Sequence, residues 1–374
     1  MNMNNKNWVS VWGNAVSIAE HHPEAYAKYI TLRYPVYIPF AGDTLRFTFD
    51  NYCGSEAVTV TRATVSAATS PVYEKMPLAC PCKKETICDI TFSKNESVTM
   101  EAHQTAVSDP VSFPVKKGMT LTVSLYFADF TLMQSAVLVT GPLSKGFFSL
   151  GDQTHADALP MDTTKTTNWF YFLSNIELMT AEENHTVICY GDSITAGAWP
   201  DYLTLLARQN PDNHTAFIRR ATSGSRVLRQ YECITYDSYG LKGTNRFPHE
   251  IPTTGADTVI IQQGINDIIH PVGIETNPFR PMSDLPTAKE LIDGYRYYIE
   301  EAKKLHLKVY MGTLLPIFGW RTYATFRDDL RNELNAWIRS AKEIDGCIDF
   351  DLALRGSENP SAFREGFDSG DHLH

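Results

Sequence analysis

At 374 residues the chain is longer than one ordinary hydrophobic core supports, so two domains are the starting expectation. A formal net charge of −10, with no long Lys/Arg cluster, argues against a nucleic-acid partner. No apolar run approaches the length of a membrane span, and the composition lacks the signatures of disorder, repeats or a coiled coil.

Residues 1–8 lack the charged and apolar regions of a signal peptide, which makes a cytoplasmic protein the expectation. Seven cysteines, an odd number scattered over the chain, fit free thiols in a reducing compartment. Cys80-Pro81-Cys82, with Cys88 after it and Cys53 upstream, matches no standard zinc spacing and has no histidine close by in sequence. Neither a metal nor a cofactor is expected.

From about residue 29 to about residue 140 the pattern is that of β-strands. Leu45-Arg46-Phe47-Thr48-Phe49, Val58-Thr59-Val60-Thr61 and Leu121-Thr122-Val123-Ser124-Leu125 all alternate. Turn signals separate them at Ala41-Gly42-Asp43, residues 51–54, Ser108-Asp109-Pro110 and Lys116-Lys117-Gly118. Short alternating strands at this spacing predict an antiparallel β-sandwich. Residues 20–27 read either as a short helix or as irregular chain. Residues 168–179, with a Trp-Phe-Tyr-Phe cluster, read as one more strand before the second domain. No nucleophile–base pairing stands out in this half. A packing role outweighs a carbohydrate-binding one, and His155 is a loop histidine that could reach a site from this side.

The stretch Val187-Ile188-Cys189-Tyr190-Gly191-Asp192-Ser193-Ile194-Thr195-Ala196-Gly197 is an apolar run that stops at a glycine, a carboxylate and a serine before a helical pattern. A buried strand ending there puts the Ser193 hydroxyl at the carboxyl edge of a sheet, where open α/β sheets bind ligands. Beyond it the pattern predicts a helix at 202–206, strands at 215–218 and 258–263, and a helix at 288–306. A strand at 308–313, a helix at about 323–341 and a strand at 347–350 follow. Strands alternating with helices of this length predict a doubly wound parallel sheet, an α/β domain.

Three further groups fall just after strands of that sheet. Ser223-Gly224-Ser225-Arg226 offers a glycine whose backbone N–H can face a pocket. Gly264-Ile265-Asn266-Asp267 offers an asparagine amide to a developing oxyanion, with Asp267 able to fix the loop. The tail Asp368-Ser369-Gly370-Asp371-His372-Leu373-His374 holds two acid–imidazole pairs, Asp371/His374 and Asp368/His372, either of which has the elements of an orienter and a base.

Taken together, Gly191-Asp192-Ser193, Gly224, Gly264-Ile265-Asn266-Asp267 and Asp371 with His374 resemble the four sequence blocks of the SGNH, or GDSL-type, hydrolase superfamily. More diffusely, Leu32-Arg33, Phe49-Asp50-Asn51, Ser108-Asp109-Pro110 and Ser124-Leu125-Tyr126 resemble the N-terminal β-domain of a two-domain bacterial branch. The resemblance implies a β-domain at 1–183 and a hydrolase domain at 184–374. It also implies Ser193 as nucleophile, His374 as general base and Asp371 as its orienter, since only that pair reproduces the family's Asp-x-x-His. Ser193, Gly224 and Asn266 become the oxyanion donors. The family usually continues into a proline-led turn and a closing helix, absent after His374 here, and weakened catalysis is the expectation for such an end. Trp199, Pro200, Arg226, Ile268 and the loop 316–320 with Trp320 are the expected pocket rim, and aromatics there suit stacking on sugars.

The expected partner is a small-molecule or oligosaccharide ester, with no nucleic acid and no membrane; the oligomeric state is not legible. The reading is an esterase for short acyl groups, acetyl foremost, on a carbohydrate. The rivals are a short-chain lipase or arylesterase, and a non-catalytic carbohydrate-binding protein on a decayed hydrolase fold.

Overall fold

The computed structural model describes residues 6–19, 26–230, 239–272 and 280–374. Most of the ambiguous segment 20–27 lies outside the described residues; its end, Tyr26–Ala27, is a short strand. The chain separates into two compact units that interleave in sequence. The first comprises Met1–Val187, Ala196–Thr222 and Thr253–Ala256, and the second Ile188–Thr195, Ser223–Pro252 and Asp257–His374.

The first unit is built on antiparallel sheets. One runs Lys6–Gly13, Leu173–Ala181, Gly42–Asp50, Thr105–Val107, with Val111–Val115 also pairing to Gly42–Asp50. The other runs Lys165–Thr167, Gly146–Leu150, Ile30–Ile38, Met119–Phe127, Arg62–Ala67, Cys88–Ile90. In Gly42–Asp50 the alternation acts as written: Leu45, Phe47 and Phe49 are buried while Thr44, Arg46 and Thr48 are only partly so. One apolar cluster draws those three side chains together with Tyr34, Val36, Leu121, Val123 and Leu125 of the second sheet.

The expected strand at 168–179 is in fact two, Trp169–Tyr171 and Leu173–Ala181. Phe172 between them has φ +60°, which ends one ladder before the next begins. Its ring is fully buried against Phe127, with centroids 5.4 Å apart.

Ile30–Ile38 and Met119–Phe127 are buried on both faces, so their polar residues need partners inside. Arg33 is wholly buried and finds four. Its guanidinium donates to Ser124 Oγ at 2.9 Å, to the Cys80 carbonyl at 3.2 Å, and to the Gln153 and Ala156 carbonyls at 2.8 Å each. Asn51 does the same on a smaller scale, its amide donating to the carbonyls of Glu56, Met100 and Glu101. These residues tie loops to strands that are already packed.

The second half of the chain carries a five-stranded sheet in the order Thr215–Ala221, His185–Gly191, Ala256–Gln262, Lys308–Gly312, Gly346–Ile348. The last three strands pair in parallel. The chain therefore steps to one side of His185–Gly191 and then returns to the other, and Ser193 leaves the sheet at this switch in strand order. Helices Trp199–Arg208, Gly243–Glu250, Ala288–Lys304 and Thr325–Ser340 fall between strands. Ala288–Lys304 starts at a capping box: Thr287 accepts from the Glu290 N–H, and Glu290 from the Thr287 N–H. The helix Gly243–Glu250 has no counterpart in the sequence reading, because Pro248 inside it reads as a breaker.

Among the described residues no helix is long and apolar enough to cross a membrane. Replacing Arg33 by Ala leaves three carbonyls, that of Cys80 buried, and the Ser124 hydroxyl short of donors, so Arg33→Ala should destabilise the first unit by about 3 kcal/mol or more. Urea titration followed by the fluorescence of its tryptophans checks this; an unchanged midpoint would show the network to be dispensable.

Candidate active site

Ser193 opens the four-residue helix Ser193–Ala196 directly after the strand His185–Gly191. The turn is tight. A Cβ at Gly191 would lie 2.3 Å from both the Gln262 carbonyl oxygen and Thr195 Oγ1, so only glycine fits. Asp192 accepts the Ile194 backbone N–H at 3.1 Å and closes the turn around Ser193.

His374 reaches Ser193 from the other end of the unit, its Nε2 2.9 Å from Ser193 Oγ. Its Nδ1 lies 2.6 Å from Asp371 Oδ2. The other Asp371 oxygen accepts the backbone N–H groups of Leu373 and His374 at 2.9 Å each and the Ser369 hydroxyl at 3.0 Å. Burial pulls the Asp371 pKa upward, but the bonds from His374 and from the Leu373 and His374 backbone outweigh it and hold the carboxyl well below the usual range. An ionised Asp371 accepts a hydrogen bond from Nδ1–H, which leaves Nε2 as the acceptor for the serine hydroxyl.

The second acid–imidazole pair does a different job. Asp368 Oδ2 is 2.5 Å from His372 Nδ1, and Asp368 Oδ1 accepts the Gly370 and His372 N–H groups. The His372 ring lies over Gly319, where a Cβ would come within 2.7 Å of it. This pair braces the tail on the loop 316–320, and among the described residues only the Asp371/His374 pair is hydrogen-bonded to Ser193.

Gly224 has φ +75°, and a Cβ there would lie 2.1 Å from the Tyr239 ring. Asn266 stands in the first turn of the helix Ile265–Ile269, which Gly264 enters at φ +127°. The Gly224 and Asn266 segments are stapled together. Asn266 Nδ2 donates to the Ser225 carbonyl at 3.1 Å, and the Asp267 carboxylate accepts the Val227 and Leu228 N–H groups at 2.8 and 3.0 Å.

The expected rim residues divide. Arg226 is buried, donating to His270 Nδ1 at 2.8 Å and to the Gly224 and Arg229 carbonyls at 3.3 and 3.2 Å. Burial, reinforced by the charges of Arg226, Arg280 and Arg321, holds the His270 pKa well below its usual value, so its ring is a neutral acceptor. Ile268 is wholly buried, because the helix starts at once after Gly264 and turns this position inward; its carbonyl accepts from Arg327. Both side chains are buried. Trp320 is partly exposed on its loop, with the Arg321 guanidinium 4.7 Å over its ring. Trp199, Pro200 and His155 belong to the first unit, where His155 Nε2 lies 3.1 Å from Asp89 Oδ1.

Sequence reasoning gave no role to the side chains of Ser225, Arg246, Glu250 and Gln263, a buried polar group joined by hydrogen bonds. No local pattern marks them, since two sit on the helix that Pro248 conceals. Among the described residues no group of three or more His, Cys, Asp or Glu side chains could hold a metal.

The sequence profile of the GDSL-like lipase/acylhydrolase family matches residues 189–374. No curated protein sequence matches the chain. Similar solved structures include a GDSL-like lipase from Bacteroides thetaiotaomicron VPI-5482, at 20% identity over 52% of this chain and 80% of that one, with a TM-score of 0.37. They include an acetyl xylan esterase, at 20% identity over 50% and 90% of the two chains, TM-score 0.36. A catalytic mutant of an acetylxylan esterase from Geobacillus stearothermophilus is similar at 16% identity over 51% and 86%, TM-score 0.36.

Two carboxyls in this region titrate late. Burial, with a smaller contribution from Asp267, pushes Asp192 up to about 7 against the Ile194 N–H. Burial pushes Asp267 up to about 6 against its two backbone donors. Both ionise near 3.9 when unfolded, so above that pH the folded chain keeps protons that the unfolded chain has released. Stability from this source is complete below about pH 4 and is lost as pH rises through about 7. Asp192→Asn should therefore lose less stability than the wild type between pH 5 and pH 8, as measured by urea denaturation at the two values; equal losses would remove Asp192 from the account.

Proposed function

Because residues 189–374 belong to the GDSL-like lipase/acylhydrolase family, we propose that the protein is a serine esterase that removes short acyl groups, acetyl foremost, from a carbohydrate. The observation that carries the reading is the pair of hydrogen bonds running from Ser193 Oγ through His374 to Asp371. As Ser193 Oγ bonds to the ester carbonyl carbon, its proton passes to His374 Nε2. The imidazolium then protonates the departing alcohol, and a water attacks the acyl-serine by the same route. Asp371, held ionised, keeps the ring in the productive tautomer throughout.

The negative oxygen of the tetrahedral intermediate is assigned to the Ser193 and Gly224 backbone N–H groups and the Asn266 side chain. An amide NH2 carries two hydrogens; one of Asn266's bonds the Ser225 carbonyl, and the other is given the substrate oxygen. The carbohydrate part of the reading rests on the loop 316–320, which touches the His374-bearing tail through Gly319 and His372. Exposed Phe318 packs edge-on to Tyr323 with centroids 5.1 Å apart, and Trp320 lies beside them in sequence. Such rings stack well on sugar faces.

Ser193→Ala should abolish turnover of nitrophenyl acetate and labelling by a fluorophosphonate; residual activity at the wild-type level would refute the nucleophile. Asp371→Asn should lower kcat by about 10³- to 10⁴-fold. A chain-length series of nitrophenyl esters should peak at acetate, whereas a peak at long chains supports a lipase. Deacetylation of acetylated oligosaccharides, read by mass spectrometry, should fall in Trp320→Ala through KM while nitrophenyl acetate turnover is kept.

A further inference from the structure

Behind the assigned oxyanion donors lies a buried polar network that the steps above leave unused. Ser225 Oγ accepts from Arg246 Nη1 at 2.9 Å and from Gln263 Nε2 at 2.8 Å. Both donors are themselves held. Arg246 makes two bonds to the Glu250 carboxylate, at 3.0 and 2.8 Å. Gln263 Oε1 accepts the Tyr298 hydroxyl at 2.7 Å, which orients the amide so that its NH2 faces Ser225, and the Gln263 carbonyl accepts the Tyr295 hydroxyl at 2.8 Å. All six residues are buried.

Ser225 touches every segment that bears an assigned donor. It is the chain neighbour of Gly224. Its carbonyl accepts Asn266 Nδ2 at 3.1 Å, and its hydroxyl lies 3.5 Å from the carbonyl of Gly191, two residues before Ser193. With two donors already on the Ser225 oxygen, that carbonyl is the direction left to its own proton.

We propose that Ser225 is a positioning residue that sets the Gly224 N–H and the Asn266 amide relative to Ser193, with the Arg246–Glu250 pair and Gln263 fixing its hydroxyl. This rests on the esterase reading of the site. The physical case is one of cost: a fully buried ion pair is an inefficient way to fill volume, since apolar residues of similar size are often as stable or more so. Here the pair delivers one guanidinium hydrogen to the residue between two assigned donors. Oxyanion stabilisation depends on donors fixed before charge develops, so a small drift of either one costs rate and not ground-state binding.

The test is a double-mutant cycle on nitrophenyl acetate with Ser225→Ala and Asn266→Ala, with affinity for a boronic acid, a tetrahedral mimic, as second readout. Ser225→Ala should lower kcat by about 10- to 100-fold, change KM by less than about two-fold, and weaken the boronic acid by a factor close to the loss in kcat. In the Asn266→Ala background the same substitution should cost clearly less than in the wild type, by about three-fold or more, because one of the two donors it positions is gone. Unchanged kcat in Ser225→Ala, or a full additive loss in the double variant, would overturn the proposal while leaving the esterase reading intact. Should Ser225→Ala lose its near-ultraviolet circular dichroism, Ser225→Cys, which keeps the shape with a weak acceptor, takes its place under the same criteria. A wild-type protein inactive on every ester and unlabelled by fluorophosphonate would refute the esterase reading, and this inference with it.

Discussion

One carboxylate, Asp371, accepts four hydrogen bonds, and the geometry around Ser193 depends on them. Three come from its own neighbours in the tail and bend the chain into a compact turn; the fourth orients an imidazole. The serine and the imidazole lie 181 positions apart, and no continuous secondary structure carries the tail. A local turn, closed by a group that also directs the base, replaces the rigid element that a longer span would need. Ionisation serves both ends at once, since the charge that organises the turn also fixes the ring's tautomer.

The same economy appears in the buried polar groups of each unit. Arg33 in the first unit meets three carbonyls and a hydroxyl, and Arg246 in the second meets a carboxylate and a hydroxyl. Arg331 bonds Asp328 and Asp351, both buried, at 2.7 Å each. None of these cations is desolvated without partners, so each specifies an arrangement of loops more sharply than an apolar side chain could. Near Ser193 the pattern shifts: Asp192 and Asp267 are held mainly by backbone N–H groups, and burial keeps them protonated to a higher pH.

Much of this was legible in the residues. Alternation in Leu45, Phe47 and Phe49 reads directly as one buried face, because a strand's period is fixed by its backbone. The Asp371–His374 contact is legible because three residues span one turn. What escaped depended on tertiary context. Arg226 and Ile268 follow assigned site residues in sequence, yet a helix that starts at Gly264 and carbonyls that capture a guanidinium draw both inward. The break at Phe172 needs a positive φ that phenylalanine rarely adopts, and it is held there by burial of the ring. Arg246 and Glu250 lie on a helix whose proline hides it from any local rule. The interleaving of the two units is a property of contacts between distant segments, which periodicity does not encode.

Gly319 has a consequence beyond its own loop. Its bare α-carbon, at φ +94°, is the surface on which the His372 ring rests, one residue from the leucine that leads into the imidazole at Ser193. The geometry at Ser193 is thus gauged by an absence. Any methyl group at 319 would act as a wedge, lifting the tail and parting imidazole from hydroxyl without altering either group. Variation at a position with no chemistry of its own would then be read by selection as if it were part of the machinery.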